Sequence, residues 1–409
     1  MWRSLFIRMV ETVVRHGTLV LHMPDGEVRQ YGDGTGTPVT VRLGDDGLFK
    51  RLVTNTELAL GEGYTDGLIT IDGDDLHGFF RLAIENSSAR GAPAWLQPAE
   101  ASRHLSRRLR QFNPAARARR NVAHHYDLSA ALYDLFLDAD KQYSCAYFAR
   151  PDMTLDEAQE AKKHHIAGKL LIEPGMRVLD IGCGWGGMGL TLARDYGARV
   201  VGVTLSEEQH KIATARARAA GLAERIDFRL TDYRDVDETF DRIVSVGMFE
   251  HVGLPHYREY FRTVHDRLAP GGVALIHTIG RTAPPSYTSP WIEKYIFPGG
   301  YVPSMSEMIG AIEKEDLYTT DIEYLRLHYA ETLRRWYDRF VARIDEAARL
   351  YDERFCRMWK YYLVACEQTF RHGRQCVFQV QLAHRQDAVP LTRDYLYRAD
   401  ADVMRHAAE

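Results

Sequence analysis

At 409 residues the chain exceeds the length at which one hydrophobic core usually keeps growing, so two domains are expected. A hydrophobic fraction of 45% with 26% charged residues excludes wholesale disorder. The net charge of −4 points to no partner on average. No apolar run reaches the roughly 20 residues that a bilayer-spanning helix needs. The stretch Met1 to Val14 is broken by Arg3, Arg8 and Glu11, so neither a signal peptide nor a transmembrane helix is expected. Cys145, Cys183, Cys356, Cys366 and Cys376 form no CxxC pair and are odd in number, which fits a reducing cytoplasm.

Trp2, Leu5, Phe6, Met9, Val10, Val13 and Val14 recur at the spacing of an amphipathic helix. Thr18 to His22 and Glu27 to Tyr31 flank Pro24-Asp25-Gly26 and predict a β-hairpin. Strands at Val39 to Leu43 and Leu68 to Ile71, and a helix near Leu76 to Ile84, complete a small α+β domain over residues 1–86. Residues 87–120, rich in Ser, Pro, Ala and Arg, read as a partly helical linker. Its Arg103, Arg107, Arg108, Arg110, Arg117, Arg119 and Arg120 fall in a stretch with no acid.

Over residues 121–409 helices alternate with β-rich runs. Arg177 to Ile181, Arg199 to Thr204, Asp227 to Leu230, Asp241 to Val246 and Gly272 to His277 read as strands, with helices at Met188 to Tyr196 and Glu207 to Ala220. Strands separated by such helices need crossovers, which predicts an α/β fold with a mostly parallel, doubly wound sheet. Two long helices over Glu331 to Arg371 and a strand from Cys376 to Leu382 follow.

Between the first of these strands and its helix stands Val178-Leu-Asp-Ile-Gly-Cys-Gly-Trp-Gly-Gly. Gly182, Gly184 and Gly186 permit a tight turn and close backbone approach to a ligand, although a structural turn gives the same spacing. Asp180 at the strand end would repel a dinucleotide pyrophosphate but could orient the ammonium end of S-adenosylmethionine (SAM), which favours SAM over NAD.

From about Asn121 to Arg385 the chain resembles the cyclopropane fatty acid synthase and mycolic acid cyclopropane synthase family. The matching words are His125-Tyr-Asp-Leu-Ser, Gln142-Tyr-Ser-Cys-Ala-Tyr-Phe, Leu179-Asp-Ile-Gly-Cys-Gly-Trp-Gly, Gly202-Val-Thr-Leu-Ser-Glu-Glu-Gln, Phe249-Glu-His-Val-Gly and His277-Thr-Ile-Gly. Ala130 stands where the family often has Asn. Gly61-Glu-Gly-Tyr-Thr-Asp-Gly makes the amino-terminal domain similar to the lipid-binding domain of the longer bacterial synthases.

The resemblance implies a Rossmann-like SAM-methyltransferase sheet and a cofactor site. Tyr143 and Ser144 would hold the amino-acid end of SAM, the glycine loop would pass beneath it, Thr204, Leu205 and Gln209 would meet the ribose, and Asp232 and Tyr233 the adenine. Taken alone, Thr204 and Gln209 also read as a helix cap and a solvated helix residue. The resemblance further implies bicarbonate as the base that removes a proton, held by Cys145, Glu250, His277, the backbone of Ile279 and Tyr329. Cys145 could equally be a buried small hydrophobe, His277 a satisfied strand histidine and Glu250 a cap. Glu250, His251 and His256 lack the spacing of a metal site, and none is expected.

The expected activity is methyl transfer from SAM to the cis double bond of an unsaturated phospholipid acyl chain, forming a cyclopropane ring. Alternatives are a lipid C-methyltransferase that leaves a methylene- or methyl-branched chain, a small-molecule N-methyltransferase, and a lipid carrier with a relict fold. The arginine stretch suggests peripheral contact with anionic membrane, with nucleic acid disfavoured because no base-reading module accompanies it. Homodimerisation is left open.

Overall fold

The computed structural model describes residues 1–88, 111 and 130–396. The arginines of the linker and the word His125-Tyr-Asp-Leu-Ser lie outside the described residues, and Ala130 opens the helix Ala130–Phe136. The chain forms two compact units. The described residues of one are 1–88, 287–298 and 333–374, and those of the other are 111, 130–286, 299–332 and 375–396.

In the first unit the helix Trp2–Val13 buries Phe6, Met9 and Val10, one face of its 3.6-residue period. Strands β1 (Thr18–His22), β2 (Val28–Gly32), β3 (Val39–Leu43) and β4 (Ile69–Ile71) form a sheet in the order β2-β1-β3-β4. The expected hairpin is the antiparallel β1/β2 pair, whereas β1 and β3 run parallel. Between β3 and β4 lie two helices beyond the expected elements, Gly47–Thr54, which buries Leu48, Phe49 and Leu52 on one face, and Thr56–Thr65. Gly61 is required there by close approach: a Cβ would sit 2.2 Å from Cδ1 of Trp291. Trp291 in turn lies 4.6 Å from the ring of Tyr361, which also meets Phe80 at 4.9 Å.

Tyr361 belongs to the helix Glu353–His372. Where the sequence predicts two long helices over 331–371 there are three, His328–Ala342, Ile344–Leu350 and Glu353–His372. Arg343 interrupts the first with φ −122°, and Asp352 starts the last by accepting from the Phe355 amide at 2.6 Å. The amino-terminal unit is therefore discontinuous in sequence, taking in segments that lie beyond residue 121.

The second unit is built on a seven-stranded sheet, β10-β11-β9-β8-β5-β6-β7. Its strands are β5 (Arg177–Ile181), β6 (Arg199–Thr204), β7 (Ile226–Leu230), β8 (Phe240–Val246), β9 (Leu268–Arg281), β10 (Tyr318–Tyr324) and β11 (Gln375–Ala383). β5 to β9 pair in parallel, and β11 and β10 add an antiparallel edge. β10, with four of its seven residues half-buried and polar or β-branched side chains at the edge, was not anticipated. The central strands are covered on both faces: Val178, Leu179 and Ile181 of β5 and Ile243 and Val244 of β8 are at most 1% exposed.

The helix Leu155–Leu170 lies against this sheet, and its start is fixed by a capping box in which Thr154 and Glu157 satisfy each other's amides. Its composition is polar, yet Gln159, Lys162, Lys163 and Lys169 are all at most 2% exposed. Such burial demands partners for every polar head.

Candidate active site

β6 and β8 flank β5 on opposite sides, so the chain reverses its direction of winding there and opens a crevice at the carboxyl ends of the strands. A cleft enclosing about 1190 Å³ of empty space, mouth included, occupies that crevice. Its wall is drawn from the segments that follow four consecutive parallel strands, Asp180 to Met188, Val203 to Gln209, Thr231 to Arg234 and Val246 to Val252, and from Lys141 to Ser144.

Tyr143, Ser144, Asp180, Gly182, Gly184, Thr204, Leu205, Gln209, Asp232 and Tyr233 all line the cleft. Gly186 does not. It caps the helix Gly187–Asp195 at φ 85°, and a Cβ there would meet Phe228 at 2.7 Å, so helix-to-sheet packing accounts for this glycine. Gly184, with φ 55°, has no atom of the described residues within 4 Å of its notional Cβ beyond its own chain neighbours.

Asp180 is 2% exposed, and its Oδ2 has no hydrogen-bond partner among the described residues. Burial pushes this carboxyl up to about 7. A cation in the cleft would hold it ionised. Thr204 donates to Oε1 of Gln209 at 2.9 Å and accepts from the Ser206 amide at 3.2 Å, while Ser206 caps the Gln209 amide. Both oxygens of Asp232 accept from Arg234, at 2.8 and 2.7 Å, so this acid meets the cleft already charge-paired. Tyr233 packs edge-on to Tyr260 with centroids 5.5 Å apart. Tyr143 is set by Tyr133, whose fully buried ring lies 5.3 Å from it and 5.0 Å from Trp185.

Two of the residues implied as oxyanion holders adjoin this wall along the chain. Cys145 follows Ser144 and Glu250 precedes His251, each pair placing one member on the cleft. Glu250 lies in a single helical turn after β8, and its Oε1 accepts from the Ile279 amide at 2.6 Å. Ile279 thus serves the glutamate here. Among the described residues Oε2 of Glu250 makes no hydrogen bond, and burial pushes the carboxyl up to about 7 against the bond from Ile279. His251, on the cleft wall, is pulled down to about 4 by burial and is a neutral imidazole.

His277 of β9 pairs in register with Val246 and Gln379. Burial first, then the cations Lys162 and Lys169, hold its pKa well below the ordinary value, so it too is neutral. Its Nδ1 lies 3.1 Å from Nε2 of Gln379. If the amide donates there, His277 carries its proton on Nε2 and presents a donor. Burial also drives the Cys145 thiol far above its ordinary range, which keeps it protonated. The chain after it is pinned to the first turn of the helix that bears the buried Tyr329: the Ala146 amide donates to Thr332 at 3.0 Å and the Phe148 amide to Nδ1 of His328 at 2.9 Å.

The sequence reading missed Lys162, Gln159 and Gln379. Gln159 donates to the carbonyls of Gln142 and Ser144, and Lys162 to their side chains, so one helix face clamps the cleft segment. The i, i+3 spacing of Gln159 and Lys162 was the available signal, but polar residues at that spacing usually mark a solvated face. Among the described residues, ligand atoms of Glu160, His164 and Asp195 lie within 4.8 Å of one another, yet Lys163 and Arg194 already neutralise the acids.

Residues 114–380 match the family model described as mycolic acid cyclopropane synthetase, and residues 7–90 match a domain of unknown function. A Pseudomonas putida protein named probable fatty acid methyltransferase is 36% identical over 399 residues, spanning 94% of this chain and 97% of that one. The cyclopropane-fatty-acyl-phospholipid synthase of Escherichia coli K12 is 42% identical over 340 residues, spanning 82% of this chain and 85% of the other. A solved mycolic acid cyclopropane synthase complexed with SAH and CTAB matches with a TM-score of 0.62 at 35% identity, covering 66% of this chain and 99% of that chain. The seven-stranded α/β unit has the Rossmann-like fold of the SAM-dependent methyltransferases. With more than half its length matched by one family model, the chain belongs to the mycolic acid cyclopropane synthetase family.

Proposed function

We propose that this protein transfers the methyl group of SAM to the cis double bond of an unsaturated phospholipid acyl chain and closes a cyclopropane ring, with bound bicarbonate taking the proton that must leave. The observation that carries the reading is the adjacency of two polar sets: the cleft residues Ser144 and His251 are the chain neighbours of the buried Cys145 and Glu250.

The cleft residues suit SAM. An unpartnered buried carboxylate, Asp180, matches the ammonium of its amino-acid end. Ser144 and Tyr143 offer hydroxyls to the carboxylate, the Thr204 and Gln209 pair suits ribose hydroxyls, and Asp232 with the Tyr233 ring suits adenine. An open Gly184 leaves room for the cofactor above the loop. Neutral His251 adds no charge to repel a sulfonium.

An alkene is a weak nucleophile, so its π electrons attack the sulfonium methyl only when aligned, and the thioether leaves with the sulfur electron pair. The resulting carbocation would be quenched by water, which makes a dry site part of the chemistry. One proton must then leave the transferred methyl so that the freed C–H pair closes the ring, and a bicarbonate held by this chain's residues would supply the base. The unpartnered Oε2 of Glu250 would accept the hydroxyl hydrogen of bicarbonate, while His277, Cys145 and Tyr329 would donate to its oxygens. Loss of a different proton gives a methylene- or methyl-branched chain, a second product class favoured by the Pseudomonas relative named only as a fatty acid methyltransferase.

No helix among the described residues is long and apolar enough to cross a membrane. Access to lipid would come from peripheral docking of the cytoplasmic protein through Arg103 to Arg120, with the amino-terminal unit helping to present the acyl chain. The test is mass spectrometry of phospholipid acyl chains from expressing cells fed labelled methionine. An added labelled CH2 that resists hydrogenation supports cyclopropane formation, and unlabelled acyl chains reject the proposal.

A further inference from the structure

The helix Leu155–Leu170 carries two neighbouring buried lysines with opposite circumstances. Lys163 is paired with Asp140 at 2.8 Å and Glu160 at 2.6 Å. Lys162, with no measurable exposure, has no carboxylate within ion-pair distance among the described residues. Its Nζ donates instead to two neutral oxygens on the cleft segment, Oε1 of Gln142 at 2.7 Å and Oγ of Ser144 at 2.8 Å. Burial pulls this ammonium down to about 8, so it is still charged at neutral pH.

A buried cation without a direct ion pair is costly even with Asp138 nearby, and one that donates to a hydroxyl does something specific. Once the Ser144 oxygen accepts from Lys162, its own hydrogen has no acceptor among the described residues and is left to point elsewhere. Ser144 lines the cleft. Gln142 cannot rotate away, because its amide nitrogen donates to Asp140 at 2.9 Å, and Asp140 is held by Lys163 and Arg216. Donation from an ammonium also polarises the hydroxyl and strengthens it as a donor.

We propose that Lys162 is a positioning residue for the cofactor carboxylate: it turns Ser144 into a committed donor toward the cleft and supplies, one bond removed, the positive charge that an anionic end group needs there. The inference rests on the reading that Ser144 faces the amino-acid end of SAM, and it concerns the carboxylate alone. Asp180 deals with the ammonium.

Calorimetry with SAM and with decarboxylated SAM, which keeps the ammonium and loses the carboxylate, separates this role from general support of the fold. Lys162→Met is expected to weaken SAM at least about tenfold, the scale of a hydrogen bond to a charged group, and decarboxylated SAM less than about twofold. Ser144→Ala should reproduce the selective loss, and the double variant should lose little more than either single one, because the lysine acts through the serine. Equal weakening of both ligands, unchanged SAM binding, or additive losses overturn the inference while leaving the cofactor assignment standing. A wild-type protein that binds neither ligand overturns the cofactor reading and the inference together. Should Lys162→Met and Lys162→Gln both fail to fold, Ser144→Ala decides: an unchanged ratio of the two affinities rejects the role.

Discussion

Replacing Asp180 by Asn should move stability and cofactor affinity in opposite directions. The carboxyl is buried, has an oxygen without a partner, and is raised by burial alone from 3.8 to about 7. Keeping it ionised near pH 8 therefore costs the empty protein roughly 4 kcal/mol, at about 1.4 kcal/mol for each tenfold change in proton affinity. Because the folded-state pKa lies above the unfolded one, the stability associated with this group is full below about pH 4 and is lost as pH rises through about 7. The isosteric amide escapes that loss but carries the cost of its own unsatisfied donors, about 2 kcal/mol at every pH, so Asp180→Asn should raise the unfolding free energy near pH 8 by about 2 kcal/mol and lower it by about 2 kcal/mol near pH 4.

SAM affinity should fall about 10- to 100-fold, the scale of a charge-assisted contact to the ammonium. In the wild type, affinity should tighten as pH rises toward about 7, because only the ionised carboxylate attracts a cation, and then level off. The variant should lack this rise. Denaturant unfolding and calorimetry at several pH values provide both readouts. A less stable variant near pH 8, or unaltered SAM affinity, would show that Asp180 is a structural acid with partners in solution.

Gly184→Arg should fold with a penalty of about 1 kcal/mol for its left-handed backbone, and should lose measurable SAM binding because the side chain enters the cleft. Calorimetry on the folded variant decides it. Glu250→Ala and His277→Ala should cut turnover by about 100-fold or more while changing SAM affinity less than about threefold, since both serve proton removal. Carbonate-free buffer should slow the wild type and added bicarbonate restore it; an unaltered rate rejects bicarbonate as the base. Replacing Arg107, Arg108 and Arg110 by Gln should weaken sedimentation with anionic vesicles, by on the order of 1 kcal/mol for each arginine near the surface, and reduce its salt sensitivity. Equal binding of both proteins to anionic and zwitterionic vesicles at all salt concentrations leaves those arginines without a docking role.

The parallel strands were legible because β5, β6 and β8 carry runs of apolar and β-branched residues (Val178-Leu179, Val200-Val201, Ile243-Val244) separated by helical segments, and their carboxyl ends fix where a ligand sits. Ten of the cofactor residues suggested by motif line one cleft. Gly186 is the exception, because a Cβ there would meet Phe228, a packing demand that glycine spacing does not distinguish from ligand approach. The helix Thr56–Thr65 was hidden by Gly61 and Gly63, poor helix formers that are tolerated where Trp291 and Ile69 occupy the space of their side chains. The clamp formed by Gln159 and Lys162 was hidden for another reason: its partners are backbone and side-chain oxygens some 20 residues away, and a polar stripe announces nothing about what will cover it. The same holds for Gln379, whose contact with His277 exists only through the antiparallel β9/β11 register.

Transfer from SAM bearing a deuterated methyl group to vesicles of monounsaturated phospholipid, catalysed by the purified protein and read by mass spectrometry, tests the proposed reaction most directly. Cyclopropane formation predicts that each modified chain gains one carbon with two of the three deuterons, the third being lost to the base, and that the product survives catalytic hydrogenation. A product that keeps all three deuterons, or that takes up hydrogen, contradicts ring closure, and an unmodified lipid contradicts the assignment of the acyl double bond as the methyl acceptor.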